Sequence, residues 1–314
     1  MQKAYIKTLY DIMSADKRVC SLLSDSGTDY DLLMARDFPA QCFNFGIAEQ
    51  NKVAVASGMA KMGKIPFVYT TDVFLAYRAY EFIRDDVCFQ RRNVKVMGMG
   101  MGMGMGSWST LGPSHHSTEA LAALRALPSL TLLCAATPLE LTRLVRFVYE
   151  TNGPVYLRFG MSAEEELFGE DYKFELGKPI MLLNSGTDVT IFVTGTVAAP
   201  AYHAAKKLRD NGIAIRLYNM PTLKPIDDAA ILDALSSSKY AFTVEEHSLQ
   251  GGLGGAIAEI LAEAGEEVPL KRLGLDNCFA KGYGTTADVR KLNGLDTDGI
   301  YNQIVNHING GKTK

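Results

Sequence analysis

Along almost the whole chain, apolar segments of strand length alternate with segments whose apolar residues recur at helical spacing. That alternation is what βαβ units on a parallel sheet require, and it places the chain in the α/β class. Apolar runs predict strands near 18–24, 66–70, 94–99, 130–135 and 155–159, and later near 188–195, 213–219, 239–244 and 268–273. Between the two sets, Glu164-Glu165-Glu166, scattered glycines and Pro179 break the rhythm. The expectation is therefore two doubly wound domains, 1–160 and 186–308, with a linker over 161–185 and a polar, disordered tail over 309–314. With 314 residues the chain is long enough to bury two such cores.

The remaining composition narrows the function by exclusion. A net charge of −3 gives no electrostatic reason to expect nucleic acid or an anionic membrane as partner. The sequence lacks an apolar run of membrane-spanning length, and its first residues lack the apolar core of a signal peptide, so a cytoplasmic protein is expected. Five cysteines, Cys20, Cys42, Cys88, Cys134 and Cys278, form no C-x-x-C pair and are expected to be core thiols rather than disulfides or zinc ligands. Thr137-Pro138-Leu139-Glu140 signals a helix start, with Thr137 as cap, Pro138 in the first turn and Glu140 reaching back to complete a capping box.

The usual α/β motifs do not match. Gly251-Gly252-Leu253-Gly254-Gly255 follows Glu245-Glu246-His247 instead of closing a first βα turn, which argues against a dinucleotide fingerprint. A Walker lysine motif and a Gly-x-Ser-x-Gly elbow are both absent. Two other segments stand out. In Asn44-Phe45-Gly46-Ile47-Ala48-Glu49-Gln50-Asn51 a strand end and a glycine feed a helix of small apolar residues, with Glu49 in its first turn. Glu49 there either complements the helix dipole or is a poorly solvated carboxyl whose raised pKa suits proton sharing with a heterocycle. In Gly112-Pro113-Ser114-His115-His116-Ser117-Thr118-Glu119, two histidines sit in a turn before a helix that Ser117 is expected to cap; they read as surface residues or as acid/base groups. The run Gly98 to Gly106, glycine at every second position, reads as a loop that either admits a ligand to the backbone or simply connects.

Taken together, GIAEQN, TTDVFLAYRAYEFIR, LGPSHHSTEALAALRALPSL, GPVYLRFG, LYNMPTLKPID and EEHSLQGGLGGAIAE resemble, in order and spacing, the C-terminal half of transketolase, as found in the second subunit of a split, two-gene enzyme. The resemblance covers about residues 5–305. It implies a thiamine-diphosphate-dependent transferase that moves a two-carbon ketol unit, with 1–160 as pyrimidine-binding domain and 186–308 as transketolase C-terminal domain.

The resemblance also implies roles. Glu49 would be the acid that hydrogen-bonds the aminopyrimidine N1′, Phe74 and, more weakly, Tyr77 would pack on the pyrimidine, and His115 would act between cofactor and substrate. Ser26, Met103, His115, His116 and Arg158 would line the substrate site, Arg158 as a phosphate-binding fork with a buried structural ion pair as its rival role. The family's Gly-Asp-Gly segment, which holds magnesium (or calcium) and the diphosphate, is missing, so an N-terminal partner subunit would supply it in an α2β2 assembly. Gln2, Leu111, Met103 and Asp72 stand where the family carries an arginine, an aspartate, a histidine and an aromatic. A non-standard sugar is therefore expected as substrate. The rival assignments are the β subunit of a 2-oxo-acid-decarboxylating enzyme and a non-catalytic assembly subunit.

Overall fold

The computed structural model describes residues 1–24, 29–100, 102–103, 106–161 and 164–310. The chain opens on a helix, Gln2–Ala15, that buries Tyr5, Leu9, Ile12 and Met13 at helical spacing. Strands β1 (Val19–Leu23), β2 (Cys42–Asn44), β3 (Ile65–Thr71), β4 (Lys95–Met99), β5 (Thr131–Cys134) and β6 (Val155–Phe159) follow, with helices between them. They pair in parallel in the order β5-β6-β4-β3-β1-β2. The order reverses at β1 and β3: the connection from β1 runs outward to β2, and that from β3 runs the other way to β4. Such a switch point opens a crevice beyond the carboxyl ends of the two strands, the usual ligand position in an open α/β sheet.

All residues of β1, β3, β4 and β6 are buried, which explains their continuous apolar runs. Side chains of alternate residues divide between two faces. Cys20, Leu22, Val68 and Val96 join one apolar cluster, and Val19, Leu23, Phe67 and Met97 join the other.

The second unit holds β7 (Ile180–Asn184), β8 (Val189–Val193), β9 (Ile215–Asn219), β11 (Tyr240–Ser248) and β12 (Leu270–Leu275), in the order β12-β11-β8-β9-β7. Only β7 in this sheet runs antiparallel to its neighbour. The expected linker over 161–185 therefore contains a strand of the second sheet at its end. The units are also less separate than the sequence suggested. Strand β10 (Thr222–Lys224) leaves the second unit and pairs antiparallel with β5, and Phe192, Tyr218, Leu253 and Ile257 enter the same apolar cluster as β1 and β3.

The helix Pro138–Glu150 begins as expected at Thr137, whose hydroxyl accepts from the Glu140 amide. Glu140 does not complete a capping box on Thr137. Its carboxylate accepts from the Ala136 amide at 2.6 Å, from Tyr172 at 2.6 Å and from Asn219 at 2.8 Å, an arrangement that ties linker and second unit to the first. The thiols of Cys20, Cys88 and Cys134 are buried as expected, whereas Cys278 is exposed. Among the described residues no helix is long and apolar enough to cross a membrane. Of the expected tail, 311–314 lies outside the described residues.

Candidate active site

Glu49 begins the helix Glu49–Lys61 immediately after β2, entered through Gly46 at φ +65°. It sits at the carboxyl ends of the strands beside the switch point. Its side chain is 2% exposed, and Oε2 accepts from Arg78 Nη1 at 2.7 Å. Burial of the Glu49 carboxyl in a first helical turn is thus as expected; its cationic partner was not foreseen. Arg78 comes from the segment after β3, where Phe74–Arg78 and Ile83–Phe89 wind as wide π turns around Tyr80–Phe82. Such turns are uncommon and often mark functional sites. The turn stacks the Arg78 guanidinium over its neighbour Phe74, with Cζ 4.8 Å from the ring centroid.

Phe74 also meets the histidine loop. The His115 ring stands edge-on to it, 5.3 Å between centroids at 79°. Nδ1 of His115 is 3.0 Å from the Ser114 hydroxyl. Glu49, Arg78, Phe74 and His115 therefore form one continuous series of contacts drawn from three separate connections. Tyr77 points elsewhere: it is 38% exposed, donates to Glu119 Oε2 at 2.9 Å and accepts from the Glu119 amide at 3.0 Å. His116 is buried.

Arg158, expected to meet a substrate anion, instead closes an internal ion pair. Its Nε and Nη2 lie 2.8 and 2.7 Å from Asp72 Oδ2, and Nη2 also donates to the carbonyl and hydroxyl oxygens of Ser117. Tyr156 donates to the other carboxylate oxygen at 2.8 Å. The arginine is 1% exposed and Asp72 is fully buried, so its fork has no face toward solvent. Ser117, expected as a helix cap, pairs through its backbone with Gly102, while the helix Ala120–Arg125 has no cap from its own segment. His247 of the second unit takes that role: Nε2 accepts from the amides of Leu121 and Ala122 at 3.1 and 3.4 Å, and Nδ1 faces the Ser248 carbonyl at 2.7 Å. Burial pushes the His247 pKa down to about 4, which keeps the ring neutral as this contact requires.

The EEHS-x-x-GGLG segment is thus a clamp between units. Glu245 accepts from the amides of Leu253 and Gly254, and Glu246 pairs with Arg290 at 2.5 Å. Two glycines of the Met-Gly run, Gly98 and Gly102, serve close packing of acidic side chains. A Cβ at Gly98 would collide with Asp72, and one at Gly102, φ +60°, would come 2.7 Å from the Glu246 Cβ. Met103, expected in the substrate site, is buried in the apolar cluster of the second unit. Ser26 lies outside the described residues. Gln2 donates to the Tyr69 hydroxyl at 3.0 Å, and Leu111 is exposed.

The sequence reading also missed a buried cation at the switch point. Lys52, one turn beyond Glu49, donates to Ser24 Oγ at 2.5 Å and to the Tyr69 carbonyl at 2.9 Å, bridging the ends of β1 and β3. The signal was present: a lysine three residues after Glu49 on the face that the helix buries. Among the described residues no group of His, Cys, Asp and Glu side chains is placed to hold a metal ion.

This combination, two α/β units with a buried carboxyl, an aromatic ring and a histidine at the switch point, is that of a transketolase, and the chain belongs to the transketolase family. Residues 1–163 match the family's pyrimidine binding domain and residues 179–300 its C-terminal domain. The chain is 33% identical over 301 residues to one of the subunits of the apulose-4-phosphate transketolase of Phocaeicola vulgatus, covering 95% of this chain and 94% of that one. It is 32% identical over 302 residues to the 6-deoxy-6-sulfo-D-fructose transketolase subunit SqwH of Clostridium sp. strain MSTE9, covering 94% and 90%. A solved structure described as a split gene transketolase, inactive beta4 tetramer, superposes with a TM-score of 0.88 at 35% identity, covering 98% of each chain. The family is one of thiamine-diphosphate-dependent transferases.

Proposed function

We propose that this chain is the pyrimidine-side subunit of a split transketolase that moves a two-carbon ketol unit between sugars. The observation that carries the reading is Glu49: a buried carboxyl in a first helical turn at the switch point, with the Phe74 ring and His115 in the same series of contacts. The residues suit an aminopyrimidine. The flat Arg78 guanidinium already makes one hydrogen bond to Glu49 and one face contact with Phe74, so carboxyl and ring are placed to hold one planar nitrogen-bearing group together. Thiamine diphosphate, when bound, supplies the electron sink for the transferred fragment. Glu49 would hold or release a proton at N1′, Phe74 would pack the ring, and His115 would move a proton at the substrate oxygen.

Magnesium and the diphosphate would be held by an N-terminal partner subunit with a Gly-Asp-Gly segment, in an α2β2 assembly. The substrate reading follows from the lost charges. Arg158 is spent on Asp72 and Gln2 replaces a cation, so the sugar pocket of this chain is less cationic than in an ordinary transketolase, while Leu111 in place of a carboxylate removes a hydrogen-bond acceptor for a sugar hydroxyl. Relatives named for apulose 4-phosphate and 6-deoxy-6-sulfo-D-fructose support a branched or deoxygenated sugar. The test is reconstitution with the N-terminal subunit, comparing kcat/KM for xylulose 5-phosphate plus ribose 5-phosphate with a panel of deoxy and branched analogues. Turnover of the standard pair at about 10⁴ M⁻¹s⁻¹ or above would reject the specialised substrate.

A further inference from the structure

Arg78 touches both residues that a pyrimidine ring would need. Its Nη1 is 2.7 Å from Glu49 Oε2, its Cζ is 4.8 Å from the Phe74 centroid, and its side chain remains 38% exposed while that of Glu49 is 2% exposed. The cation therefore reaches inward from the surface, with its head on the buried acid. A guanidinium and an aminopyrimidine share the relevant chemistry: both are flat, conjugated and nitrogen-edged, able to lie on an aromatic face while the edge bonds to a carboxyl.

Resting on the reading of Glu49 given above, we infer that Arg78 is a placeholder for the cofactor's pyrimidine. A carboxylate as buried as Glu49 is strongly disfavoured without a partner. Arg78 supplies that partner when no pyrimidine is present. It can also leave readily, because a long side chain that is already 38% exposed can return its charged head to water. The incoming ring takes over both contacts, so Glu49 passes from one partner to the other without being left alone. Arg78 is on this view a positioning residue for Glu49, and a competitor of the pyrimidine.

The test uses the full chain labelled with ¹⁵N-arginine and the probe 4-amino-5-hydroxymethyl-2-methylpyrimidine. In the free protein the Arg78 Nη1–Hη signals should be protected and distinct; titration should move them toward those of solvated arginine. Arg78→Met should bind the probe at least about threefold more tightly, and Glu49→Gln should bind it at least about tenfold more weakly. The NMR titration of the unaltered chain stands whether or not the Met variant folds. An Arg78 signal unchanged at saturation, or an Arg78→Met affinity equal to or below that of the unaltered chain, would overturn the placeholder while leaving the pyrimidine site in place. Failure of every form to bind the probe, together with no uptake of thiamine diphosphate by the chain joined to an N-terminal subunit, would overturn both readings.

Discussion

Arg158 and Asp72 stand 86 residues apart in sequence and pair at 2.7 Å with side chains 2% and 0% exposed. The pair reaches across β4: Asp72 follows β3, Arg158 lies in β6, and Gly98 in the intervening β4 leaves the space between them. Through Ser117 it also fixes the end of the histidine loop.

Removing one member should therefore be costly. Asp72→Ala leaves a buried guanidinium without its counter-charge, and a loss of about 3–5 kcal/mol is expected. Replacing both residues with apolar ones of similar volume should cost much less. Urea denaturation of the two variants checks this; a loss below about 1 kcal/mol for Asp72→Ala would place the pair outside the structural core.

Glu49→Gln retains shape but loses proton exchange. Turnover of the reconstituted enzyme should fall about 10²–10⁴-fold, the usual range for deletion of an acid/base group. Circular dichroism should show the same secondary structure. Activity within a factor of about three of the unaltered enzyme would remove Glu49 from the chemistry.

His115→Ala should separate binding from turnover. The ring stands T-shaped to that of Phe74, and its loss leaves the buried Glu49 carboxyl and its contact with Arg78 in place. Cofactor affinity should change by less than about threefold, while kcat falls about 10²-fold or more. Calorimetry and steady-state kinetics on the same preparation give both numbers.

His247 makes the contact between the two units sensitive to acid. The groups facing it are the amides of Leu121 and Ala122, the Ser248 carbonyl and the Glu245 carboxylate at 3.8 Å. Because burial depresses the folded pKa to about 4 from 6.5, its contribution to stability is fully present above pH 6.5 and is lost as pH falls through about 4. The melting temperature should thus fall more steeply between pH 6.5 and 4 in the unaltered chain than in His247→Gln, which cannot titrate. Parallel curves would contradict it.

How much of this was legible depended on range. Strands β1, β3, β4 and β6 announce themselves because both faces are buried and, Lys95 and Arg158 apart, their residues are apolar or small. Thr137 could be read as a cap because cap and helix lie within four residues. By contrast β7, at a sheet edge, buries only Leu183 of its five residues, and β10 is three residues that become a strand only against β5. The site divides the same way. Glu49, Phe74 and His115 lie in segments with recognisable local wording, but nothing near Arg158 reveals that Asp72 neutralises it, and nothing near Ala120 reveals that His247 caps its helix. These are facts of topology.

The decisive measurement is calorimetric titration of thiamine diphosphate with magnesium into the chain alone and into the chain mixed with an N-terminal subunit carrying Gly-Asp-Gly, each with Glu49 and with Glu49→Gln. The chain alone should bind weakly or not at all, and the mixture should bind tightly in a magnesium-dependent manner, with ketol transfer appearing only where Glu49 is present. Tight magnesium-dependent binding by the chain alone, or equal transfer by the Glu49→Gln mixture, would contradict the assignment of this chain as the pyrimidine side of a divided active site.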